Sequence, residues 1–278
     1  MEKSTSILEQ THNGGIFSFL ARKKGSLLNR LVPGWTNRQI DKLLFVPPVT
    51  RARNHRIPRG FKTYEVNTRD GRIQAYQTGK GPTVLFVHGW GGSASLFFPL
   101  MRGLAQCGFR AIAFDHLGHG ASERKPATLQ QSIRSTNCLL DLARKEPGEG
   151  VCAIVGHSTG CIAIANARAA LMKNLSLFLI SPIFNYKLFF LKKLIKLDLH
   201  PDLLKQYANR FSKTYQRDYR KLELARNLKN YSDSCVIAHD ESDRDSAARD
   251  SMTFCSRFPL TKLLLTKQCD HLRTGQYF

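Results

Sequence analysis

Short apolar runs recur along this chain at intervals that a helix can fill, and they constrain the fold more than any other feature. The runs comprise residues 83–87, 110–114, 151–155, 177–180, 235–239 and 261–266. They lack the polar alternation of a strand that has one face in water. Strands buried on both faces are typical of a parallel sheet covered by helices on each side. The pattern therefore predicts an α/β fold with a mostly parallel, doubly wound sheet.

The segments between these runs carry helical periodicity, which completes the alternation of strand and helix. The predicted helices cover residues 95–107, 128–145, 159–173 and 244–257. Residues 72–79 instead alternate polar and apolar side chains. That stretch predicts an antiparallel edge strand, joined to the sheet by the glycine- and proline-containing turn at 79–82.

Two segments interrupt this rhythm and define the domain organisation. The stretch between the runs at 177–180 and 235–239 is far longer than an ordinary crossover and has helical periodicity, so it predicts an inserted helical cap at about 183–231. Residues 1–60 are basic and interrupted by prolines, and they predict an N-terminal extension to a core of residues 61–278. We expect the extension to dock on the core, the alternative being an anionic membrane surface.

The charge balance is strongly basic, with 42 lysines and arginines against 21 acidic residues, a net charge of +21. Such a charge attracts anionic surfaces and acidic substrates. The basic residues are spread along the chain, so an anionic membrane surface is a candidate partner and nucleic acid is not expected. Seven cysteines without a CxxC pair indicate reduced thiols and a cytoplasmic protein. The N-terminus lacks a secretory signal pattern, and no segment approaches the length of a membrane span.

Residues that could take part in catalysis or binding follow the apolar runs directly. In open α/β sheets, ligands bind beyond the carboxyl ends of the strands. The segments that follow the strands are HGWGG (88–92), DHLGHGAS (115–122), GHSTG (156–160), DESDRD (240–245) and KQCDH (267–271). We therefore expect these five segments to meet at one edge of the sheet and to form the active site.

Ser158 lies in a strand–turn–helix context, flanked by Gly156 and Gly160. This context predicts a strained turn that exposes a nucleophilic serine. A serine hydroxyl needs a base, and the base needs an orienting acid. His271 follows the last predicted strand and is the candidate base, whereas His157 is expected to point away from the site and His239 to be structural.

Three carboxylates are candidates for the acid: Asp240, Asp243 and Asp245. We expect Asp243, because a residue a few positions past its strand can reach the histidine loop. The backbone N–H groups of Trp90 and Thr159 are candidate oxyanion donors. Metal-ligand spacings, a phosphate-binding loop and a dinucleotide fingerprint are lacking, so no metal and no cofactor are expected.

Together these motifs resemble the α/β-hydrolase superfamily over about residues 72–271. The resemblance rests on HGWGG, DHLGHGAS, the GHSTG elbow, the HDESD stretch and the late histidine, in the superfamily's order of Ser, Asp and His. It implies Ser158 as nucleophile, Asp243 as acid and His271 as base. The superfamily's H-G-x-x-D reads HDESD here, with Asp240 in place of the glycine, so Asp240 and Asp245 stay open as alternatives.

The resemblance implies a serine hydrolase that cleaves a carboxylic ester or thioester through an acyl-enzyme intermediate. The alternatives with the same triad are an amidase, a peptidase or a C–C bond hydrolase. Epoxide hydrolase chemistry is disfavoured, because relatives with that activity usually carry aspartate where Ser158 stands. An alternative of another class is a non-catalytic basic binding module built on a hydrolase fold.

Overall fold

The computed structural model describes residues 45–47, 56–146, 150–186, 188–189, 192, 222–228, 231, 234–269 and 271. Most of the predicted N-terminal extension and cap lies outside these residues, so both boundaries stay predictions. The strands are β1 Lys62–Thr68, β2 Gly71–Thr78, β3 Thr83–Val87, β4 Arg110–Phe114, β5 Val151–His157, β6 Ser176–Ile180, β7 Cys235–Asp240 and β8 Thr261–Thr266. The described helices are α1 Phe98–Gln106, α2 Leu129–Lys145, α3 Thr159–Ala165, α4 Ala169–Met172, α5 Leu224–Asn227 and α6 Ala248–Arg257.

The eight strands form one sheet in the order β1-β2-β4-β3-β5-β6-β7-β8. The strands from β4 to β8 along this order pair in parallel, and β2 pairs antiparallel with both β1 and β4. All six apolar runs are strands, so the mostly parallel sheet is confirmed. Residues 72–79 do form an antiparallel strand, but their prediction as the sheet edge is wrong. Lys62–Thr68 pairs along the outer side of β2 and takes the edge position.

Helices cover both faces of the sheet, as a doubly wound fold requires. On one face, α1 and the 3-10 turn Ala94–Phe97 pack over Phe86, Ala113 and Val155. On the other face, a larger cluster joins α2, α3 and α6 to Leu85, Ile154 and Ile237. Because β3, β4 and β5 lie between two apolar layers, their side chains are almost wholly buried, which explains their uninterrupted apolar sequences.

Helix α2 illustrates how the sequence fixes an element boundary. Thr128 accepts the Gln131 N–H, and the Gln131 side chain accepts the Thr128 N–H, so both halves of a capping box are present. The predicted helix 159–173 is instead two helices, α3 and α4, separated at Asn166–Arg168. Within the described residues no helix has the length and apolar character needed to cross a membrane, and membrane-surface association stays a prediction.

Candidate active site

Ser158 stands between β5 and α3 in a backbone conformation that L-residues rarely adopt, with φ 56° and ψ −123°. Such a conformation persists only when its surroundings hold it. The Ser158 N–H donates to the Ile180 carbonyl at 3.0 Å, and the Ser158 carbonyl accepts the Cys161 N–H at 3.1 Å. These bonds tie the turn to β6 and to α3. The predicted strand–turn–helix elbow is therefore present.

The glycines around Ser158 allow backbone segments to approach more closely than a side chain would permit. A Cβ on Gly160 would lie 2.3 Å from the Val87 carbonyl oxygen, and one on Gly156 would lie 2.6 Å from Ile164 Cδ1. A Cβ on Gly89 would lie 2.7 Å from the Cβ of Ser158. The Gly-x-Ser-x-Gly pattern and the glycine after His88 thus bring β3, the elbow and α3 together.

The structure brings Ser158, His271 and Asp243 into one hydrogen-bonded chain. His271 Nε2 lies 2.9 Å from Ser158 Oγ, and His271 Nδ1 lies 2.7 Å from Asp243 Oδ2. Because a carboxylate only accepts, Nδ1 carries a proton, and Nε2 faces the serine hydroxyl at hydrogen-bond distance. This arrangement can remove the serine proton during nucleophilic attack.

Asp243 is buried and strongly hydrogen-bonded. Burial raises the pKa of this carboxyl, but hydrogen bonds from His239, His271 and the Ser246 N–H outweigh burial and hold the pKa below its usual range. Its second oxygen, Oδ1, accepts the N–H groups of Asp245 and Ser246 at 2.8 Å and 2.9 Å. Asp243 is therefore ionised beside His271.

The other two candidate carboxylates have different surroundings. Asp240 Oδ2 accepts the Thr266 hydroxyl and the Cys269 N–H, each at 2.8 Å, and so ties the end of β8 and the loop toward His271 to β7. Burial raises the pKa of Asp240, but bonds from Ser242, Cys269 and Thr266 lower it further than burial raises it. Asp245 has an exposed side chain, and its N–H binds Asp243.

His157 contacts the loop histidine directly, so the expectation that it points away from the site is wrong. Its Nε2 lies 2.8 Å from the His271 carbonyl oxygen, and the two rings are 5.0 Å apart. Because a carbonyl accepts, Nε2 carries the proton. Burial lowers the pKa of His157 to about 4, so its ring is neutral at pH 7. A neutral donor from β5 thus holds the backbone of His271.

The HGWGG loop is fastened to the elbow. The Trp90 N–H donates to Thr159 Oγ1 at 2.7 Å, and the Gly91 N–H donates to His119 Nε2 at 3.1 Å. Thr159 is the first residue of α3, so its N–H is among those without an acceptor inside the helix. The two candidate oxyanion residues are therefore adjacent, with the Trp90 amide directed at the side chain of Thr159.

Three histidine rings pack together at the start of this loop: His88, its first residue, His116 and His119. The ring centroid of His88 lies 4.6 Å from that of His116 and 5.1 Å from that of His119. His88 Nε2 accepts the His116 N–H at 3.0 Å, which leaves its proton on Nδ1, directed at the Gly89 carbonyl. Burial lowers the pKa of His88 to about 4 and that of His116 well below its ordinary value. The described residues contain no cluster of three or more His, Cys, Asp or Glu arranged for a metal ion.

Comparison with solved structures shows the same fold in known hydrolases. An esterase from Pyrococcus furiosus is 19% identical, with a TM-score of 0.62 and coverage of 84% of this chain and 93% of the esterase. Est1E from Butyrivibrio proteoclasticus is 17% identical, with a TM-score of 0.60 and coverage of 76% and 90%. These similarities establish the fold.

Two curated sequences match shorter segments. An epoxide hydrolase from Caballeronia sordidicola is 32% identical over 115 residues, which is 41% of this chain and 34% of that enzyme. A 2-(acetamidomethylene)succinate hydrolase from Mesorhizobium japonicum is 37% identical over 92 residues, 32% of each protein. The chain thus spans about a third of the length of the curated relatives it matches.

A family model described as "Serine aminopeptidase, S33" matches residues 80–265, which include the parallel strands except for the last residue of β8. The match agrees with the eight-stranded sheet and with the hydrolase folds of the structural neighbours. The chain therefore belongs to the α/β-hydrolase superfamily and, within it, to the S33 serine aminopeptidase family.

Proposed function

We propose that this protein is a serine hydrolase that cleaves a carboxylic ester or thioester through an acyl-enzyme intermediate. The observation that carries the proposal is the hydrogen-bonded chain from Ser158 through His271 to Asp243. Its order of nucleophile, base and ionised acid is the one that acyl transfer requires.

In the proposed reaction, Ser158 Oγ attacks the substrate carbonyl carbon while its proton moves to His271 Nε2. The imidazolium that forms is stabilised by buried Asp243 and then protonates the leaving group. Water, deprotonated by the same histidine, attacks the acyl-enzyme and releases the carboxylic acid. The proton returns to Ser158, and no external reductant, oxidant or cofactor is consumed.

The backbone N–H groups of Trp90 and Thr159 are the proposed oxyanion donors. In the described structure, the Trp90 N–H donates to the neutral Thr159 hydroxyl. A tetrahedral oxyanion is a stronger acceptor because it carries charge. We propose that it replaces the hydroxyl as the acceptor of the Trp90 N–H, so that the bond strengthens as charge develops.

Ester chemistry suits a serine at this position better than epoxide opening does. Serine attack on an epoxide would leave an ether, which a triad cannot hydrolyse, whereas attack on an acyl group leaves a hydrolysable ester. Ser158 therefore argues against the reaction named for the Caballeronia relative. Amide hydrolysis is a second candidate, which the Mesorhizobium relative and the peptidase description of the family favour.

Covalent labelling with a fluorophosphonate tests the nucleophile. We expect labelling of the wild-type protein and none of Ser158→Ala or His271→Ala. Nitrophenyl esters of increasing chain length and matched anilides then separate ester from amide cleavage. A folded wild-type protein that is neither labelled nor active would refute the hydrolase mechanism and would favour the non-catalytic basic binding module.

A further inference from the structure

His239 lies against the carboxylate of Asp243 inside the protein. It is the penultimate residue of β7, and its side chain has no exposed surface. Its Nε2 lies 3.3 Å from Asp243 Oδ2 and 3.1 Å from the Ser246 carbonyl oxygen. On the other side of the ring, Nδ1 lies 2.6 Å from Ser251 Oγ.

These contacts fix which ring nitrogen of His239 carries the proton. Nε2 faces a carboxylate and a carbonyl, and both of these groups only accept hydrogen bonds. An unprotonated Nε2 would be a third buried acceptor beside the Asp243 carboxylate and the Ser246 carbonyl, with no donor between them, so Nε2 carries the proton. Nδ1 can then accept the Ser251 hydroxyl. The Nε2–H of His239 thus lies between the Ser246 carbonyl, to which it donates, and Asp243 Oδ2, which it also faces, and Ser251 from helix α6 holds the ring in place.

The donated bond completes the surroundings of the carboxylate. Oδ2 faces two imidazole donors, His239 and His271, while Oδ1 accepts the N–H groups of Asp245 and Ser246. These four donors oppose rotation of the carboxyl group. Since the side chain of Asp243 is buried, water cannot readily substitute for a missing donor.

We propose that His239 is a positioning residue that acts through Asp243, keeping Oδ2 aligned with Nδ1 of His271 so that Nε2 faces Ser158. The inference rests on the proposed function, since it concerns the same hydrogen-bonded chain. It assigns to His239 a role in turnover beyond its links from β7 to Ser246 and Ser251.

Two amide substitutions that differ by one methylene separate these roles. In His239→Gln, the side-chain amide reaches the former position of Nε2 and keeps a donor toward Asp243. In His239→Asn, the shorter amide reaches only the Nδ1 position, where its oxygen still accepts the Ser251 hydroxyl. Both variants are uncharged and polar, so a difference between them reports the Nε2 donor, which faces both Asp243 and the Ser246 carbonyl. A fall in kcat at unchanged KM in a folded variant assigns that difference to Asp243.

We expect His239→Asn to lower kcat about ten- to a hundred-fold, the loss typical of a hydrogen bond to a charged group, with KM little changed. His239→Gln should remain within a few-fold of wild type. The rate of fluorophosphonate labelling should fall in parallel with kcat. Thermal unfolding of both variants shows whether each is folded under the assay conditions.

Equal activity of His239→Asn and wild type would overturn the inference, as would equal losses in the two variants. If His239→Asn does not fold, Ser251→Ala provides the measurement, because it leaves the ring in place and removes the hydroxyl that holds it. We then expect a several-fold fall in kcat at unchanged KM, and an unchanged kcat overturns the inference. Wild-type protein that is not labelled refutes the proposed function itself, an outcome distinct from these.

Discussion

Mild acid is expected to destabilise this fold through histidines that are buried in their neutral form. His88 is the first residue of the HGWGG loop, where its Nε2 accepts the His116 N–H and two further histidine rings pack against it. His157 lies against the ring and the carbonyl of His271. Burial lowers the pKa of each to about 4, against 6.5 in the unfolded chain.

The sign and size of the effect follow from these two values. Between pH 6.5 and pH 4 the unfolded chain binds more protons than the folded protein, so the free energy of unfolding falls as pH falls. At pH 5 the cost is about 2 kcal/mol for each of these two histidines, or about 4 kcal/mol for both, and buried His116, whose pKa is also lowered, adds a loss of the same sign. That loss is a large part of the free energy of unfolding of a typical domain, which is roughly 5–15 kcal/mol. Asp240 and Asp243, whose pKa values are lowered, lose their contribution only below about pH 4.

Urea unfolding at pH 7, 6 and 5 and constant ionic strength measures this loss. The matched control is His157→Gln, which can still donate to the His271 carbonyl but cannot be protonated. We expect the decrease between pH 7 and pH 5 to be about 2 kcal/mol smaller in this variant than in wild type, with His88 and His116 responsible for the rest. A wild-type free energy of unfolding that stays constant over this range would refute the reasoning from burial.

Other substitutions test the elbow and the histidine loop. Gly160→Ala should destabilise the protein by roughly 1–3 kcal/mol and slow labelling of Ser158, because the added Cβ would clash with the Val87 carbonyl. The control is Gly103→Ala, which has open space around its Cβ and should be neutral or stabilising. Thermal unfolding compares the two variants. Asp240→Asn should lower kcat and thermal stability, because an amide nitrogen would replace one oxygen that accepts hydrogen bonds from Ser242, Thr266 or Cys269. Retention of full activity by this variant would show that the loop does not depend on Asp240.

The sheet was predictable from sequence wherever strands are buried on both faces. β1 was not, because Lys62, Thr63, Glu65 and Asn67 are exposed, with Val66 its one fully buried residue. Its polar sequence becomes a strand through pairing with β2 along its whole length. The two strands form a hairpin joined by only two residues, Arg69 and Asp70. Because β1 contains no apolar run, the sequence pattern missed it, and β2 looked like the edge.

The site was predictable to the extent that local backbone geometry determines it. Ser158 follows from a strand, two glycines and a helix, all of which are adjacent in the chain. From the sequence, Asp240, Asp243 and Asp245 could be ranked as candidate acids only by how far each lies past the end of its strand. The structure shows that Asp243 contacts His271. The roles of His157 and His239 depend on ring orientation, which tertiary packing sets and sequence spacing does not.

The position of the proposed base depends on hydrogen bonds more than on apolar packing. His271 follows β8, an edge strand whose Leu264 and Leu265 are about two-fifths exposed. Apolar packing of that strand therefore constrains its loop weakly. The constraint comes from inner strands: Asp240 of β7 holds the Cys269 N–H, and His157 of β5 holds the His271 carbonyl. Substitutions of Asp240 or His157 should consequently reduce kcat more than substitutions of Leu264 or Leu265 do, even where the loss of stability is the same.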